Sequence, residues 1–310
     1  MEGSFPIQEL ISDLKNLESL DVSRNKFNST LPFQDFKSNF SKVSKLKYLD
    51  LSENHFDNGI LSFSSIFPSV ETLDLSFNKL EGPLSYKDLV KLKNLTVLSL
   101  RGNNLNGTLP LQKLSKLKNL KSLDVSGNRF NSTLPFQGLC GLKGLQELDL
   151  SHNEFGGSLP QCLDNLTSLM SLDLSRNQLT GHIPSSWPAN LKFIDLSYNR
   201  FEGIFSFKNI PSSSPANFKS SLEYIDLSSN LFEGLFAFNL LANYSSLEVV
   251  ILSGNNITFE TGWIPSFQLK VLIMQSCGLD SIPEFLFYQF KLEALDLSHN
   301  KVKKMEDLRS

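Results

Sequence analysis

The sequence contains few of the side chains on which catalysis and metal binding depend. Its 310 residues include only three cysteines and four histidines. No H-E-x-x-H, G-x-S-x-G, C-x-x-C or phosphate-loop pattern occurs. The aspartates recur with the chain's repeat, and none has a neighbouring acid in a visibly different setting. We therefore predict that the chain is not an enzyme and that it uses no metal ion or cofactor.

The sequence also lacks a dominant charge and a long apolar run. It has 29 basic and 32 acidic residues, so its net charge of −3 creates no field that would attract nucleic acid or an anionic membrane. The basic run from Lys113 to Lys121 is interpreted as a solvated face. No run of about 18 apolar residues is present. We expect no nucleic-acid partner and no membrane span in this chain.

What the sequence does contain is one motif, L-x-x-L-x-x-L-D-L-S-x-N-x-F/L, which recurs about every 25 residues. Its leucines fall first every three residues and then every two, which predicts a bent approach followed by a short strand. Each copy is marked here by its register asparagine. The twelve register positions are Asn25, Asn54, Asn78, Asn103, Asn128, Asn153, Asn177, Asn199, Asn230, Asn255, Cys277 and Asn300.

One such unit cannot bury its apolar edge alone, whereas stacked units share a continuous core. The repeat therefore predicts an α/β leucine-rich-repeat solenoid, with a curved parallel sheet on a concave face and short helices or irregular coil on a convex face. We expect residues 1–310 to form a single solenoid of about 12 repeats without caps, with an irregular, longer repeat at 204–221. The register asparagine should satisfy backbone groups at each turn, and Cys277 should be a buried structural thiol.

Glycines four residues after the register position should sit in turns that need a positive φ. They are Gly82, Gly107, Gly157, Gly181, Gly203 and Gly234. In many copies a Leu-Pro or Ile-Pro step follows, as at Leu109-Pro110 and Ile183-Pro184.

The string N-x-L/F-x-G-x-I/L-P resembles the plant extracellular class of leucine-rich repeats. Two segments, Gly138 to Leu163 and Trp263 to Cys277, are similar to segments of plant receptor-like proteins. The resemblance implies ligand perception outside the plasma membrane, often of peptides, with a co-receptor kinase as signalling partner. The chain lacks the secretion signal, the paired-cysteine cap and the membrane anchor that the resemblance implies, so we expect a piece of a longer parent protein, which would carry the anchor. Open alternatives are a free-standing short protein, a secreted inhibitor or scaffold similar to polygalacturonase inhibitors, and an intracellular interaction solenoid.

The cysteines and the N-glycosylation sequons bear on whether the protein is secreted. Cys140 and Cys162 occupy nearly the same place in successive repeats, which is compatible with a disulfide; the alternative is two buried small apolar residues. A disulfide would favour secretion. Secretion would make the N-x-S/T sequons glycan acceptors. The sequons are at Asn28, Asn39, Asn94, Asn106, Asn131, Asn165, Asn243 and Asn256.

A ligand is expected on the concave sheet, where three side chains per repeat face outward: the two outer residues of the strand and the residue before the register asparagine. The second of these outward positions, the last residue of the strand, is an aspartate in most repeats. Because it recurs as D-x-S, we predict a structural role for it. In the tenth and eleventh repeats this column becomes apolar. The candidate ligand-binding residues form an exposed apolar and aromatic patch: Phe193, Tyr198, Tyr224, Val249, Ile251, Val271 and Ile273. The alternative is that the irregular stretch from Phe205 to Ser221 covers this patch.

Overall fold

The fold was analysed in a computed structural model of the chain. The structure describes residues 2–5, 14, 16–28, 45–65, 67–133, 136–184, 186–203, 221–236, 245–259, 262, 264–265 and 267–302. The chain divides into two compact units, Met1–Phe155 and Gly156–Ser310. The irregular repeat predicted at 204–221 lies, apart from residue 221, outside the described residues.

Short parallel strands make up the first unit. The strands of this unit are β1 (Glu2–Ser4), β2 (Ser19–Asp21), β3 (Lys26–Asn28), β4 (Tyr48–Asp50), β5 (Thr72–Asp74), β6 (Glu81–Pro83), β7 (Val97–Ser99), β8 (Asn104–Gly107), β9 (Ser122–Asp124), β10 (Arg129–Phe130) and β11 (Glu147–Asp149). Strands β2, β4, β5, β7, β9 and β11 lie side by side in that order in the main sheet. The others form two smaller sheets, β1-β3 and β6-β8-β10. The described residues of this unit also form a 3-10 helix at Asn58–Ser65 and α-helices at Tyr86–Leu89, Leu111–Leu114 and Phe136–Leu139.

The second unit has the same plan. Its strands are β12 (Gly156–Gly157), β13 (Ser171–Asp173), β14 (Gln178–Gly181), β15 (Phe193–Asp195), β16 (Arg200–Gly203), β17 (Tyr224–Asp226), β18 (Leu231–Phe236), β19 (Val249–Ile251), β20 (Asn256–Phe259), β21 (Val271–Ile273) and β22 (Ala294–Asp296). The main-sheet order is β13-β15-β17-β19-β21-β22, and the second sheet is β12-β14-β16-β18-β20. Among the described residues of this unit, the 3-10 helices Gln161–Asn165 and Glu284–Tyr288 lie between strands.

The alternation of leucine and polar residues explains why each main-sheet strand has one buried and one outer face. In β11 the middle residue Leu148 is 1% exposed, whereas Glu147 and Asp149 on either side point away from the core. Leu150 and Leu145, on either side of the strand, are fully buried in the same core. The predicted fold is confirmed: the chain is a parallel β-solenoid of the leucine-rich-repeat type with few helices.

The register asparagines tie each coil to its neighbours. Asn153 Nδ2 donates to the carbonyls of Val125, Leu150 and Ser151 at 3.0, 3.2 and 3.0 Å. The backbone N–H of Phe130 donates to Asn153 Oδ1 at 3.1 Å. The carboxamide therefore fills donor and acceptor deficits at the turn, as the sequence predicts.

Cys277 is free and buried, and the prediction of a structural thiol at this register position is confirmed. Its Sγ donates to the Leu252 carbonyl at 3.3 Å. Sulfur is a poor acceptor, and the Ile257 N–H instead donates to the backbone carbonyl of Cys277 at 3.3 Å. Burial raises the pKa of this thiol to about 11.

Left-handed backbone occurs at two places in the repeat. The six glycines four residues after the register position all have positive φ, between 70° and 84°, so that prediction is confirmed. The residue immediately before the register position is also left-handed in every repeat, with Gly127 at 63° and His152 at 52°. Nine of these twelve residues are not glycine, and the sequence analysis did not anticipate their conformation.

Candidate functional site

The outer face of the main sheet in the second unit carries the predicted patch. Phe193 is in register with Tyr224, Tyr224 with Val249, and Val249 with Val271. In the parallel row two residues further along the strands, Ile251 is in register with Ile273. Neighbouring strands lie about 4.8 Å apart, so these side chains are adjacent. We call these six residues, Phe193, Tyr224, Val249, Ile251, Val271 and Ile273, the apolar patch.

An aromatic stack forms one end of the apolar patch. The rings of Phe193 and Tyr224 lie 4.5 Å apart between centroids, with an interplanar angle of 12°. The Tyr224 hydroxyl donates to the carboxylate of Asp226. Burial, together with the charge of Asp226, raises the pKa of Tyr224 well above its usual value. Tyr224 therefore remains a neutral donor across the physiological pH range.

The apolar patch is half-buried, which corrects the expectation of an exposed surface. All six residues are only partly exposed to solvent. The physical reason is the strand spacing, because side chains in one row lie about 4.8 Å apart and neighbours such as Tyr224 and Val249 shield each other. The stretch from Phe205 to Ser221, predicted as an alternative cover, lies outside the described residues except for Ser221.

Tyr198, the seventh predicted residue, has a different setting. It precedes the register asparagine Asn199 and is 50% exposed. The guanidinium carbon of Arg176, from the preceding repeat, lies 4.3 Å from the centroid of its ring. This cation–π contact joins a positive charge on the preceding coil to an aromatic ring on the coil that carries Phe193.

Carboxylates continue the row of Ile251 and Ile273. Asp195 is in register with Asp226, and Asp226 with Ile251. Each aspartate accepts a hydrogen bond from the N–H of the serine two residues on, Ser197 or Ser228, at 2.8 Å. These bonds confirm the structural role predicted for D-x-S. Burial nevertheless raises the pKa of both carboxyls above its usual value, so a cation placed beside them would be favourable.

The first unit has outward aromatic residues that the sequence analysis missed. Phe77 is 51% exposed, and the guanidinium carbon of Arg101 lies 5.8 Å from its ring centroid. Tyr48 donates from its hydroxyl to Asp50 Oδ2 at 3.2 Å. A signal was available, because Phe77 immediately precedes a register asparagine and Arg101 replaces the usual serine.

Six of the eight predicted glycan acceptors fall among the described residues. Asn94, Asn106, Asn131, Asn165 and Asn256 are exposed. Asn28 is half-buried, and its Oδ1 is buried without a hydrogen-bond partner in the described part of the chain. None of these six lies in a main-sheet strand. Asn39 and Asn243 lie outside the described residues.

Both cysteines of the predicted pair, Cys140 and Cys162, are disulfide-bonded in the structure. The assignment of one as the partner of the other stays a prediction, which peptide mapping without reduction would test.

The described residues offer neither a metal-binding cluster nor a helix that could cross a membrane. They contain no group of three or more His, Cys, Asp or Glu side chains placed to hold a metal ion. No helix within the described ranges combines the length and the apolar character that crossing a membrane requires.

Comparison with known proteins identifies the repeats. A profile described as "Leucine rich repeat" matches residues 118–179, and a second leucine-rich-repeat profile matches residues 16–39, 45–66, 94–114 and 190–212. Receptor-like protein 9b of Arabidopsis thaliana is 42% identical over 269 residues, which cover 85% of this chain and 25% of that protein. Receptor-like protein 13 of the same plant is 43% identical over 67 residues, covering 20% of this chain and 6% of that protein.

Solved structures show the same similarity. The leucine-rich-repeat ectodomain of the Arabidopsis receptor kinase HAESA, in complex with an extended IDA peptide hormone, matches 96% of this chain and 52% of its own, with 28% identity and a TM-score of 0.68. A further HAESA structure, with IDA and the co-receptor SERK1, matches 96% of this chain and 56% of its own, with 27% identity and a TM-score of 0.54.

The chain is built of leucine-rich repeats and is similar to Arabidopsis receptor-like proteins and to the leucine-rich-repeat ectodomain of HAESA. The resemblance inferred from N-x-L/F-x-G-x-I/L-P is thereby confirmed. The chain spans 25% of receptor-like protein 9b and 6% of receptor-like protein 13.

Proposed function

We propose that this chain is a ligand-binding part of the ectodomain of a plant receptor-like protein, and that the apolar patch contacts a peptide ligand on the outer side of the plasma membrane. The observation that carries the proposal is the register of the six patch residues, which places them on neighbouring strands of one sheet face. HAESA, which is similar over 96% of this chain, binds a peptide hormone through its ectodomain. A co-receptor kinase is proposed as the signalling partner because a HAESA complex contains the co-receptor SERK1.

The polar surroundings of the patch indicate the side chains that such a peptide would carry. Bulky aliphatic or aromatic residues would pack on Val249, Ile251, Val271 and Ile273. The carboxylates of Asp195 and Asp226 lie one to three strands away in the same row, so a lysine or arginine would complement them. Two strands span about 9.6 Å, which is about three residues of an extended peptide. The proposed ligand therefore has a basic residue about three positions from an apolar one.

The positions of the sequons support the same surface. The exposed acceptors Asn94, Asn106, Asn131, Asn165 and Asn256 all lie outside the main-sheet strands. Glycans at these positions would leave the outer face of the main sheet open to a protein or peptide.

A displayed library of random dodecapeptides, selected for binding to the full chain, provides the test. The selected peptides should combine basic and apolar residues, and each should bind at least about tenfold more weakly to Ile251→Ala/Ile273→Ala and to Val249→Asp, because burying one large aliphatic side chain contributes about 1.5 to 3 kcal/mol.

The matched control is Val97→Asp. Val97 is also the first residue of a main-sheet strand and is also half-buried, but it belongs to β7 of the first unit. Circular dichroism should show that all three variants are folded. Unchanged peptide binding by the folded patch variants, or an equal loss in Val97→Asp, would rule out the apolar patch as the site. The alternative of a secreted inhibitor has no separate observation in its favour.

A further inference from the structure

A column of lysines lies on the first unit, away from the outer face of the main sheet. Lys93, Lys118 and Lys143 each lie four residues before a main-sheet strand, in three consecutive repeats. All three are exposed. In the following repeats the same position is Thr167 and then Ala189. We call Lys93, Lys118 and Lys143 the lysine column.

Backbone contacts stack these three repeats closely. Asn119 Nδ2 donates to the Lys93 carbonyl at 3.0 Å. The N–H of Lys121 donates to the Thr96 carbonyl at 2.8 Å, and the N–H of Gln146 donates to the Lys121 carbonyl at 2.7 Å. Equivalent residues in adjacent repeats therefore lie side by side, and the lysine column places like charges at a short repeat distance.

The positive charge of this region is not neutralised locally. Residues 87–143 contain ten lysines and arginines but two aspartates, in a chain whose net charge is −3. Lys91 forms an ion pair with Asp88 at 2.6 Å. Within the described part of the chain, none of the lysine-column residues forms an ion pair. Like charges held together in this way repel one another unless anions approach.

Two surface depressions adjoin the lysine column, and both are lined by Lys118 and Gly144. One has a volume of about 470 Å³ and is also lined by Ser115 and Lys143. The other, of about 390 Å³, is also lined by Asn94, Thr96, Asn119, Lys121 and a single acidic residue, Glu71. Gly144 leaves room there, because an added Cβ would lie no closer than 3.7 Å to its neighbours.

We propose that the lysine column binds a linear acidic polysaccharide, whose successive carboxylates pair with successive lysines. Hydroxyl and amide side chains between the lysines, at Ser115, Thr96 and Asn119, match the hydroxyl groups of a sugar chain. An anionic membrane would require exposed apolar side chains beside the lysines. Instead, Leu117, Leu120 and Leu142 are buried. Single-stranded nucleic acid would require aromatic surfaces for its bases, and none of the exposed large hydrophobic residues lies between residues 87 and 143 among the described residues. The proposal does not rest on the proposed peptide-binding function.

The test measures binding of a short polyuronate to the full chain with its own N-glycans and to Asn94→Gln, because Asn94 lines one depression. The free acid should bind, its methyl ester should not, and affinity should fall steeply with salt as counterions are released. The variant Lys93→Glu/Lys118→Glu/Lys143→Glu should bind at least about tenfold more weakly, since three ion pairs are lost.

The matched control is Lys79→Glu/Lys291→Glu/Lys301→Glu, which changes the net charge equally at three exposed lysines outside the column. It should retain affinity within about twofold. Three outcomes would overturn the proposal: no binding of the free acid, equal binding of the ester, or an equal loss in the control. Tighter binding of single-stranded DNA of equal charge would assign the column to nucleic acid instead.

Discussion

Asn153 accepts a hydrogen bond from the backbone N–H of Phe130, 23 residues earlier in the chain, at 3.1 Å. The Asn153 amide also donates to three carbonyls, and the residue is 8% exposed. One side chain therefore satisfies four backbone groups on two coils. Each of these groups would cost free energy if it were buried without a hydrogen-bond partner.

Asn153→Ala should lower the free energy of unfolding by about 3 kcal/mol or more, because each buried polar group left without a hydrogen-bond partner costs about 1 to 3 kcal/mol. Chemical denaturation of the purified chain would measure the loss. Asn153→Cys should lose less, since Cys277 occupies the same register position with its Sγ bonded to a carbonyl. Equal losses in the two variants would show that the hydrogen bonds of Asn153 are not the main source of the stability that it contributes.

Gly127→Ala should lower the free energy of unfolding by about 1 kcal/mol. Gly127 has a φ of 63°, and an added Cβ would meet its nearest neighbour at 3.4 Å, so the cost comes from backbone conformation rather than from a clash. Gly144→Ala is the control, because its φ lies outside the left-handed region and its added Cβ has room. Denaturation midpoints should fall for the first variant and stay level or rise for the second.

The repeat was sufficient to predict the main-sheet strands, the role of the register asparagines and the glycine turns, but not the second set of parallel strands, such as β14 and β16. These features repeat, so each copy tests the same local rule. The left-handed residue before each register position was missed because nine different non-glycine positions, such as His152 and Tyr198, carry no common side-chain signal. Backbone closure of the coil imposes that conformation regardless of residue type.

The sequence was sufficient to predict that the patch residues share one sheet face, but not how far they are exposed. Alternation predicts which side of a strand Val249 and Ile251 face, whereas the area they expose depends on the size of neighbours such as Tyr224 and Val271. The contact of Arg176 with Tyr198 likewise depends on side-chain conformations that spacing does not specify. Side-chain contacts of this kind can be identified only from the three-dimensional structure.

Glycan occupancy should follow exposure when the chain is produced through a secretory pathway. Asn94, Asn106, Asn131, Asn165 and Asn256 should carry glycans, because their side chains reach solvent. Asn28 should be largely unmodified in folded molecules, since its amide oxygen is buried. Glycopeptide mass spectrometry would measure occupancy at each position, and high occupancy at Asn28 would contradict the structure at β3.

The Cys277 thiol should make stability depend on pH in the alkaline range. Burial raises its pKa to about 11 from an ordinary value of 9.0, so the folded state holds this proton more tightly than the unfolded state. The resulting stabilisation is complete below about pH 9 and is lost as the pH rises through about 11. Because a shift of one pKa unit corresponds to about 1.36 kcal/mol, the full contribution to the free energy of unfolding is about 2 to 3 kcal/mol.

Cys277→Asn supplies the comparison, because asparagine occupies this register position in the other repeats and does not titrate. Denaturation of both proteins at pH 8 and pH 11 removes contributions from the remaining groups, which the two share. Wild type should lose about 2 to 3 kcal/mol more than Cys277→Asn across this interval. Equal losses would mean that the folded state does not hold the Cys277 proton, and therefore that the thiol is more accessible to water than its burial beneath Leu252 implies.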